Sequence, residues 1–211
     1  MGRGRFITLE GGEGAGKTTQ VALLQAALRG AGIDALATRE PGGAPGAEAI
    51  RPLLVQGAPG RWDALAEALL HYAARRDHLV TTVRPALEAG TWVISDRFAD
   101  STMAYQGFGL GLGAELIAAL DEAVVGDTRP DLTLILDLPV EAGLQRAAAR
   151  HDDAQRYERM DLDFHRRVRQ GFLDIARRDP GRCLVIDAAG AIEATHAAVR
   201  DAVRERLEVA L

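Results

Sequence analysis

The residues with the clearest chemistry lie near the start of the chain, in the stretch GGEGAGKTT at positions 11–19. Gly11, Gly16, Lys17 and Thr18 satisfy the pattern G-x-x-x-x-G-K-[ST]. In this pattern the glycines let backbone N–H groups turn toward phosphates, the ammonium reaches the β- and γ-phosphates, and the hydroxyl holds Mg²⁺. The helix that follows adds the positive end of its dipole. The stretch therefore predicts a loop that binds nucleotide phosphates.

Lys17 is the only lysine in the chain, and every other basic residue is an arginine. Arginine therefore stands at the basic positions where the two residues are interchangeable. A planar guanidinium fork and a compact ammonium do not bind phosphates in the same way. The single lysine therefore marks a position at which a point charge is needed.

Apolar runs and amphipathic stretches alternate along the chain. The runs that predict strands are 6–10, 34–38, 92–95, 132–138 and 183–188. The stretches that predict helices are 18–32, 46–56, 62–89, 114–124, 140–150, 161–178 and 191–209. Short apolar strands separated by helices predict an α/β fold with a parallel sheet covered on both faces. The glycine-rich stretch GFGLGLG (107–113) is interpreted as a flexible connecting loop.

The composition sets broad limits. The 211 residues include 47% apolar and 26% charged side chains, which is typical of a globular protein, and we expect one domain over 1–211. The net charge of −5 argues against general nucleic-acid binding. No apolar run is long enough for a membrane helix, and FITL is too short for a secretory signal. With a single cysteine, Cys183, these features favour a reducing cytoplasm.

Polar residues follow the predicted strands, where chemistry is expected in a sheet of this kind. These strand ends are REPGG (39–43), SDRF (95–98) and LDLP (136–139). Asp96 could hold a magnesium-bound water, and Arg97 could face a phosphate that is being transferred. A structural ion pair at a strand end is the alternative.

Several segments together resemble bacterial thymidylate kinases in order and spacing. They are EGGEGAGKTTQ, TREPGG, YAAR, TWVISDRFADSTMAYQG and RPDLTLILDLP. The resemblance covers nearly the whole chain. It implies a P-loop nucleoside-monophosphate-kinase fold with a five-stranded parallel sheet flanked by helices, and a homodimer. It also implies Mg²⁺-dependent phosphoryl transfer from ATP to dTMP, giving dTDP for dTTP biosynthesis, with no nucleic-acid or membrane partner.

The resemblance carries roles to individual positions. For ATP, it implies Gly11, Gly12, Glu13, Gly14, Ala15, Gly16, Lys17, Thr18, Thr19 and Arg146, with phosphate loop 11–18. For magnesium, it implies Thr18 and Asp96. For dTMP, it implies Glu13, Glu40, Arg51, His71, Arg75, Arg97, Thr102, Tyr105 and Gln106. For catalysis, it implies Lys17, Arg97, Arg150 and Arg156.

Within the dTMP set, the resemblance implies that Arg97 binds the phosphate and Arg75 the thymine carbonyl. Thr102 and Gln106 are expected at the base edge, and Tyr105 where a ribose 2′-hydroxyl would lie. Glu13 is expected to accept from the sugar 3′-hydroxyl or to organise the phosphates. Relatives usually carry a phenylalanine where this chain has His71, and an imidazole can also stack on a base. For Glu40 and Arg51 a solvated surface position remains an alternative.

The segment 145–160 is rich in arginine and acid. It is either a solvated helix end or, by the resemblance, a mobile lid over the ATP phosphates. Residues 12–15 of the phosphate loop contain no cation. We therefore expect Arg150 or Arg156 to reach the transferred phosphate when the lid closes, with Arg156 the better anchored in register.

Two other functions remain open. The chain could be a kinase for another nucleotide or for shikimate, although AYQG (104–107) argues against it. It could also be a switch-type nucleotide binder, but a GTPase would need an N-K-x-D-like motif. That motif cannot occur in a chain whose only lysine is Lys17. The helix over 62–89 is the candidate dimer contact because its apolar positions run around more than one face.

Overall fold

A computed structural model describes residues 2–149 and 156–211 of the chain. The strands in this part are Phe6–Glu10 (β1), Ala35–Arg39 (β2), Trp92–Asp96 (β3), Leu132–Asp137 (β4) and Cys183–Asp187 (β5). They form one parallel sheet in the order β2-β3-β1-β4-β5. Each strand end lies within one residue of its predicted position, so the prediction of a parallel α/β sheet is confirmed.

Helices connect the strands and cover the sheet. The α-helices are Lys17–Gly30 (α1), Pro45–Val55 (α2), Ala64–His78 (α3), Arg84–Glu88 (α4), Ala99–Thr102 (α5), Ala114–Val124 (α6), Val140–Ala148 (α7), Leu162–Arg178 (α8) and Ile192–Leu207 (α9). Two segments are π-helical, Leu79–Val83 and Met103–Gly109, and Tyr157–Arg159 is a 3₁₀ turn. In the described part of the chain, no helix combines the length and apolar character needed to cross a membrane.

Both faces of the sheet are buried, and successive residues of a strand pack into different clusters. Ile7 and Leu9 belong to the same apolar cluster as Leu24 of α1 and Val203 of α9. Phe6 points to the opposite face and belongs to a separate cluster. Burial on both faces explains why the strands read as nearly continuous apolar runs.

The helix predicted over 62–89 is divided into three parts. The Asp63 carboxylate caps α3 by accepting from two backbone N–H groups, so the helix begins at residue 64. A wider π-helical turn at Leu79–Val83 then separates α3 from α4. Pro85, at the start of α4, has no backbone N–H and cannot donate to the preceding turn. The chain thus stays helical here but changes its hydrogen-bond register.

The prediction that 107–113 is a flexible connecting loop is wrong for its first residues. Met103–Gly109 is π-helical and packs against α8. A Cβ atom on Gly109 would lie 2.7 Å from Phe164 and 2.9 Å from Val168. Glycine is therefore needed at this position because the two helices pack closely there. The local sequence does not reveal this packing.

The site is positioned by the strand order. The connection that leaves β1 runs across the sheet to β2, and the later connections, from β2 to β3 and from β3 to β4, run in the opposite direction. Ligands of such sheets bind outside the carboxyl ends of the strands, at the point of reversal. The loop 11–16 follows β1 at this point, and Arg97 follows β3.

Candidate active site

A cleft of about 990 Å³, counted with its solvent-open mouth, lies at this edge of the sheet. The residues of the expected site that line it are Glu13, Gly14, Gly16, Lys17, Thr18, Glu40, Arg51, His71, Asp96, Arg97, Thr102, Tyr105 and Gln106. One cavity therefore joins the phosphate loop to the residues expected to bind the acceptor.

The phosphate loop passes from β1 into α1, as its pattern predicts. Gly16 precedes the helix in the left-handed conformation, with a φ of 88°. A Cβ atom on Gly14 would lie 2.0 Å from the carbonyl oxygen of Gly143, so the loop needs glycine where it approaches α7. The remaining residues expected to bind ATP do not border the main cleft in the described structure. They are Gly11 and Gly12, which border a smaller cavity behind the loop, the buried Ala15, the exposed Thr19, and Arg146 of α7.

The side chain of Lys17 lies back over the loop. Its Nζ donates to the carbonyl oxygens of Gly11, at 3.1 Å, and Gly12, at 2.7 Å. Burial, together with the nearby charge of Arg97, lowers the pKa of the ammonium to about 8. A bound phosphate would give this ammonium a stronger partner than either carbonyl oxygen.

Thr18 and Asp96 form the pair expected to bind magnesium. The Thr18 hydroxyl donates to Asp96 Oδ2 at 2.5 Å. Among the described residues, no group of three or more His, Cys, Asp or Glu side chains could hold a metal ion alone. Mg²⁺ prefers oxygen ligands and usually takes one or two from the protein and others from the substrate phosphates. The pair therefore fits an ion that is bound jointly with a nucleotide.

Arg97 is held beside the phosphate loop in a left-handed backbone conformation, with a φ of 71°. Its Nη1 donates to the carbonyl oxygen of Gly11 at 2.9 Å, and its Nη2 donates to Glu13 Oε1 at 3.1 Å. The guanidinium carbon lies 4.9 Å from the ring centre of Tyr105. These contacts orient a fork that suits a phosphoryl group at the wall of the cleft.

Glu10 supports this turn and was missed by sequence reasoning. Its carboxylate accepts from the backbone N–H of Phe98 at 2.7 Å and from Ser101 Oγ at 2.5 Å. Burial, with a contribution from Asp100, raises the pKa of Glu10 to about 8. The available signal was a charged residue at the end of an otherwise apolar strand. Because Phe98 directly follows Arg97, Glu10 helps to fix the strained turn.

The side chain of Glu13 connects the phosphate loop, to which it belongs, with the acceptor end of the cleft. Its Oε1 accepts from the Tyr105 hydroxyl at 2.7 Å as well as from Arg97. Burial alone would raise the pKa of Glu13, but Arg97 and Lys17 outweigh it and lower the pKa to about 2. The carboxylate is therefore ionised at neutral pH.

Glu40 is only 6% exposed, so the solvated-surface alternative does not hold for it. Its carboxylate accepts from Arg75 Nε at 2.8 Å and lies 3.0 Å from His78 Nδ1. Arg75 is also buried, behind the cleft wall, and its Nη2 donates to Thr102 Oγ1 at 3.0 Å. In the described structure, Arg75 Nη1 is buried without a hydrogen-bond partner. An unsatisfied buried donor is costly, so this atom marks a place where a ligand acceptor would be stabilising.

Arg51 faces the cleft from α2. Its Nη1 donates to the carbonyl oxygen of Pro41 at 2.5 Å. This contact ties α2 to the loop after β2, which also carries Glu40. The position therefore belongs to the cleft wall rather than to a freely solvated helix face.

His71 and Gln106 lie at the inner end of the cleft with two partners that sequence reasoning missed. Gln106 Nε2 donates to Glu67 Oε1 at 2.7 Å, and His71 Nε2 lies 2.9 Å from the Tyr157 hydroxyl. Burial, with Arg75, lowers the pKa of His71 to about 3, so its ring is neutral at physiological pH. Glu67, His71 and Arg75 follow one another at four-residue spacing, which puts them on one face of α3. That spacing was the available signal for Glu67.

The structure corrects the expectation for Arg156. This residue is 4% exposed, forms an ion pair with Glu67, and donates to the carbonyl oxygens of Leu54, at 3.1 Å, and Ala58, at 3.3 Å. It does not border the cleft in the described structure. Its guanidinium holds this part of the chain to α3 and to the end of α2, because the buried carboxylate of Glu67 and the carbonyl of Leu54 in the last turn of α2 need donors there.

The other arginines of the 145–160 segment differ in what the structure describes. Arg146 donates to the carbonyl oxygens of Ala188 and Ala189, both at 3.0 Å, in the loop after β5. It therefore lies at the carboxyl edge of the sheet but away from the main cleft. Arg150 lies outside the described residues.

Comparison with known proteins gives a consistent result. Residues 9–199 match the family model described as thymidylate kinase. The chain is 58% identical to a thymidylate kinase of Caulobacter vibrioides, over 98% of this chain and 99% of the relative. It is 50% identical to one of Nitrobacter hamburgensis, over 99% and 91%.

A solved structure has the same fold. The crystal structure of thymidylate kinase from Ehrlichia chaffeensis superposes with a TM-score of 0.78 at 38% sequence identity. The match covers 96% of this chain and 99% of that one. The similarity therefore includes the sheet, the phosphate loop and the helices that surround the cleft.

Proposed function

Because the chain belongs to the thymidylate kinase family, we propose that it transfers the γ-phosphoryl group of ATP to dTMP, giving ADP and dTDP. One observation carries the proposal at the level of geometry. A single cleft has a phosphate loop at one end and a buried amide, that of Gln106, at the other. A donor phosphate and a pyrimidine nucleotide could thus occupy it together.

The transfer needs no general base in this proposal. The attacking oxygen of the dTMP phosphate is already anionic, so catalysis consists of positioning and charge stabilisation. Lys17 binds the phosphates of ATP, and Arg97 orients the acceptor phosphate. Glu13 keeps Arg97 in place through the contact at 3.1 Å. Arg150 is proposed to add positive charge from the lid. Of the two lid arginines expected to act in catalysis, Arg156 is buried away from the cleft, so this role falls to Arg150.

Thr18 and Asp96 are proposed to hold Mg²⁺. Bound there, the ion would supply positive charge that stabilises the transferred phosphoryl group. Their hydroxyl and carboxylate oxygens lie 2.5 Å apart, beside the phosphate loop, and suit a hard cation.

The proposed function is tested by measuring ADP release from ATP with each nucleoside monophosphate in turn. We expect dTMP to be the best acceptor. Comparable rates with AMP, GMP or shikimate and none with dTMP would contradict the proposal. ATP hydrolysis without any acceptor dependence would instead favour a switch-type nucleotide binder.

ATP affinity is expected to fall as the pH rises above about 8. Phosphate binding requires the charged Lys17, whose pKa in the free protein is about 8, so binding above that pH must take up a proton. Titration calorimetry in two buffers of different ionisation enthalpy measures this uptake. Glu10 has a pKa of about 8 as well and is a second possible source of proton uptake. The Lys17→Arg variant keeps Glu10, so it should lose only the proton uptake that is due to Lys17. Equal proton uptake in both proteins would assign the effect to another group.

Tyr105 is proposed to exclude a ribose 2′-hydroxyl by its bulk. Replacing Tyr105 with alanine is expected to narrow the preference for dTMP over the ribonucleotide by about 1–3 kcal/mol, the scale of small steric discriminations. The measurement is the ratio of kcat/KM for the two acceptors. Tyr105→Phe is the matched control, since it keeps the ring but loses the hydroxyl bonded to Glu13. If the ratio of kcat/KM for the two acceptors is unchanged in Tyr105→Ala, Tyr105 contributes only to packing.

We also propose that the protein is a homodimer in the cytoplasm. Large apolar side chains on α3 and the following turn are exposed, with Leu65, Leu69 and Val80 at 40%, 48% and 49%. Such side chains favour burial against a second copy. Light scattering coupled to size-exclusion chromatography tests the dimer, and a monomer at micromolar concentration would contradict it.

The buried free thiol of Cys183 is compatible with a reducing compartment such as the cytoplasm.

A further inference from the structure

We propose that Glu67 is a positioning residue that determines which end of the Gln106 amide faces the acceptor. By doing so it selects a pyrimidine that offers a hydrogen-bond donor at N3. The proposal rests on the proposed function, because it assigns a physical cause to the choice of base.

Glu67 is a fully buried carboxylate that receives hydrogen bonds from several donors. Its Oε1 accepts from Gln106 Nε2 and from the Tyr157 hydroxyl, both at 2.7 Å. Its Oε2 accepts from Arg156 Nη2 in an ion pair. A carboxylate group surrounded by these donors acts as an acceptor, so Gln106 must present its NH₂ group to it.

The Tyr157 hydroxyl lies beside the Glu67 carboxylate and also accepts from that NH₂ group. A phenol has one hydrogen, and here it is donated to Glu67. The phenol oxygen therefore accepts from Gln106 Nε2, at 3.2 Å, and from His71 Nε2, at 2.9 Å. This order requires the neutral imidazole of His71 to carry its hydrogen on Nε2. Glu67 and Tyr157 thus both hold the NH₂ end of the Gln106 amide on their side.

With its NH₂ group held by Glu67, Gln106 turns its carbonyl oxygen away from that carboxylate, toward a ligand in the cleft that this residue lines. Oε1 is an acceptor and demands a donor from the base. Thymine and uracil carry N3–H, whereas the N3 atom of cytosine is an acceptor. A cytosine placed like thymine would set two acceptors against each other in a buried site, which is costly. An amide flip would not relieve this conflict, because it would turn Oε1 toward the carboxylate of Glu67.

The test compares kcat/KM for dTMP and dCMP in the wild type and in Glu67→Gln. A glutamine offers both a donor and an acceptor, so either orientation of the Gln106 amide becomes satisfiable. We expect the preference for dTMP over dCMP to fall by at least about tenfold, the worth of one hydrogen bond to a charged group. A merely structural role would lower activity with both acceptors and leave the ratio unchanged. An unchanged ratio in a folded Glu67→Gln protein would overturn the proposal.

The matched control for the substitution is Glu141→Gln. Glu141 is an exposed carboxylate that pairs with Arg166 on the surface, where its side chain is 62% exposed. It does not border the main cleft of the described structure. Its ratio of dTMP to dCMP activity should equal that of the wild type, and a matching fall in this control would show that the effect is not specific to Glu67.

Glu67→Gln leaves the buried Arg156 without a charged partner and could unfold the protein for that reason. The double variant Glu67→Gln, Arg156→Met removes the unpaired cation and should show the same fall in the ratio. A measurement on the wild type needs no variant at all. The Gln106 side-chain NH₂ hydrogens should exchange slowly with solvent and keep their protection when dTMP binds. Rapid exchange in the free protein would overturn the proposal.

These outcomes separate the inference from the proposed function. If the wild type fails to phosphorylate dTMP, the function is wrong, while the exchange of the Gln106 amide still reports whether Glu67 holds it. If the wild type prefers dTMP and the ratio does not respond to Glu67, the function stands and the inference fails.

Discussion

The Lys17→Ala variant is expected to lose about 10³-fold in kcat while unfolding at nearly the same temperature as the wild type. The ammonium is the charge that the phosphate loop itself supplies, and removing one such group from a transition state typically costs this much. Its contacts in the free protein are two backbone carbonyls, so the fold depends little on it. Coupled assay of ADP release at saturating ATP and dTMP measures the change, with thermal unfolding alongside.

Lys17→Arg tests the meaning of the single lysine. The variant keeps the charge but replaces a compact ammonium with a planar fork in a pocket where the side chain is 7% exposed. We expect kcat to fall by at least about 10²-fold because the fork cannot be placed like a point charge. Arg200→Ala, an exposed position on α9, is the control and should behave like the wild type. Near-normal activity in Lys17→Arg would remove the explanation offered for the lone lysine.

Replacing Arg156 with methionine is expected to lower the free energy of unfolding by about 3–5 kcal/mol. The substitution leaves the fully buried Glu67 carboxylate without its charged partner, and it removes the donors to the Leu54 and Ala58 carbonyls. Urea unfolding followed by circular dichroism measures the loss. Arg159→Met is the matched control, because Arg159 is exposed three residues further along the chain.

This result would distinguish the two roles considered for Arg156. A lid arginine that stabilises the transition state predicts the opposite pattern, in which kcat falls steeply and stability is unchanged. The double variant Glu67→Gln, Arg156→Met should regain part of the stability, since neither ion is then left unpaired. If Arg156→Met unfolds like Arg159→Met, the buried pair is not what holds the end of the lid segment to α2 and α3.

The phosphate loop and the sheet could be predicted from local patterns. The loop is contiguous, so its glycines, lysine and threonine occur at fixed spacing in the sequence. The strands are buried on both faces, and burial of that kind produces short apolar runs between amphipathic helices. These features are dictated by neighbours along the chain or by average burial, which explains why their positions agree with the structure to within about a residue at the strand ends.

The glycines of 107–113 show where local reasoning fails. Glycine in a sequence normally indicates a turn or a loop, because its backbone is permissive. At Gly109 the residue is needed for a different reason, the approach of Phe164 and Val168 from α8. Because α8 follows more than fifty positions later in the chain, the sequence around Gly109 does not indicate this contact.

The sequence alone determined the fold class, the phosphate loop and a set of residues with a plausible site chemistry. The tertiary structure decided which charges meet. It put Glu40 into the interior with Arg75, and it joined Arg156 to Glu67 across 89 positions of the chain. An arginine looks the same in a sequence whether it is solvated, catalytic or buried in an ion pair. The difference is set by desolvation and by the partners that distant elements bring, and these exist only once the chain has folded.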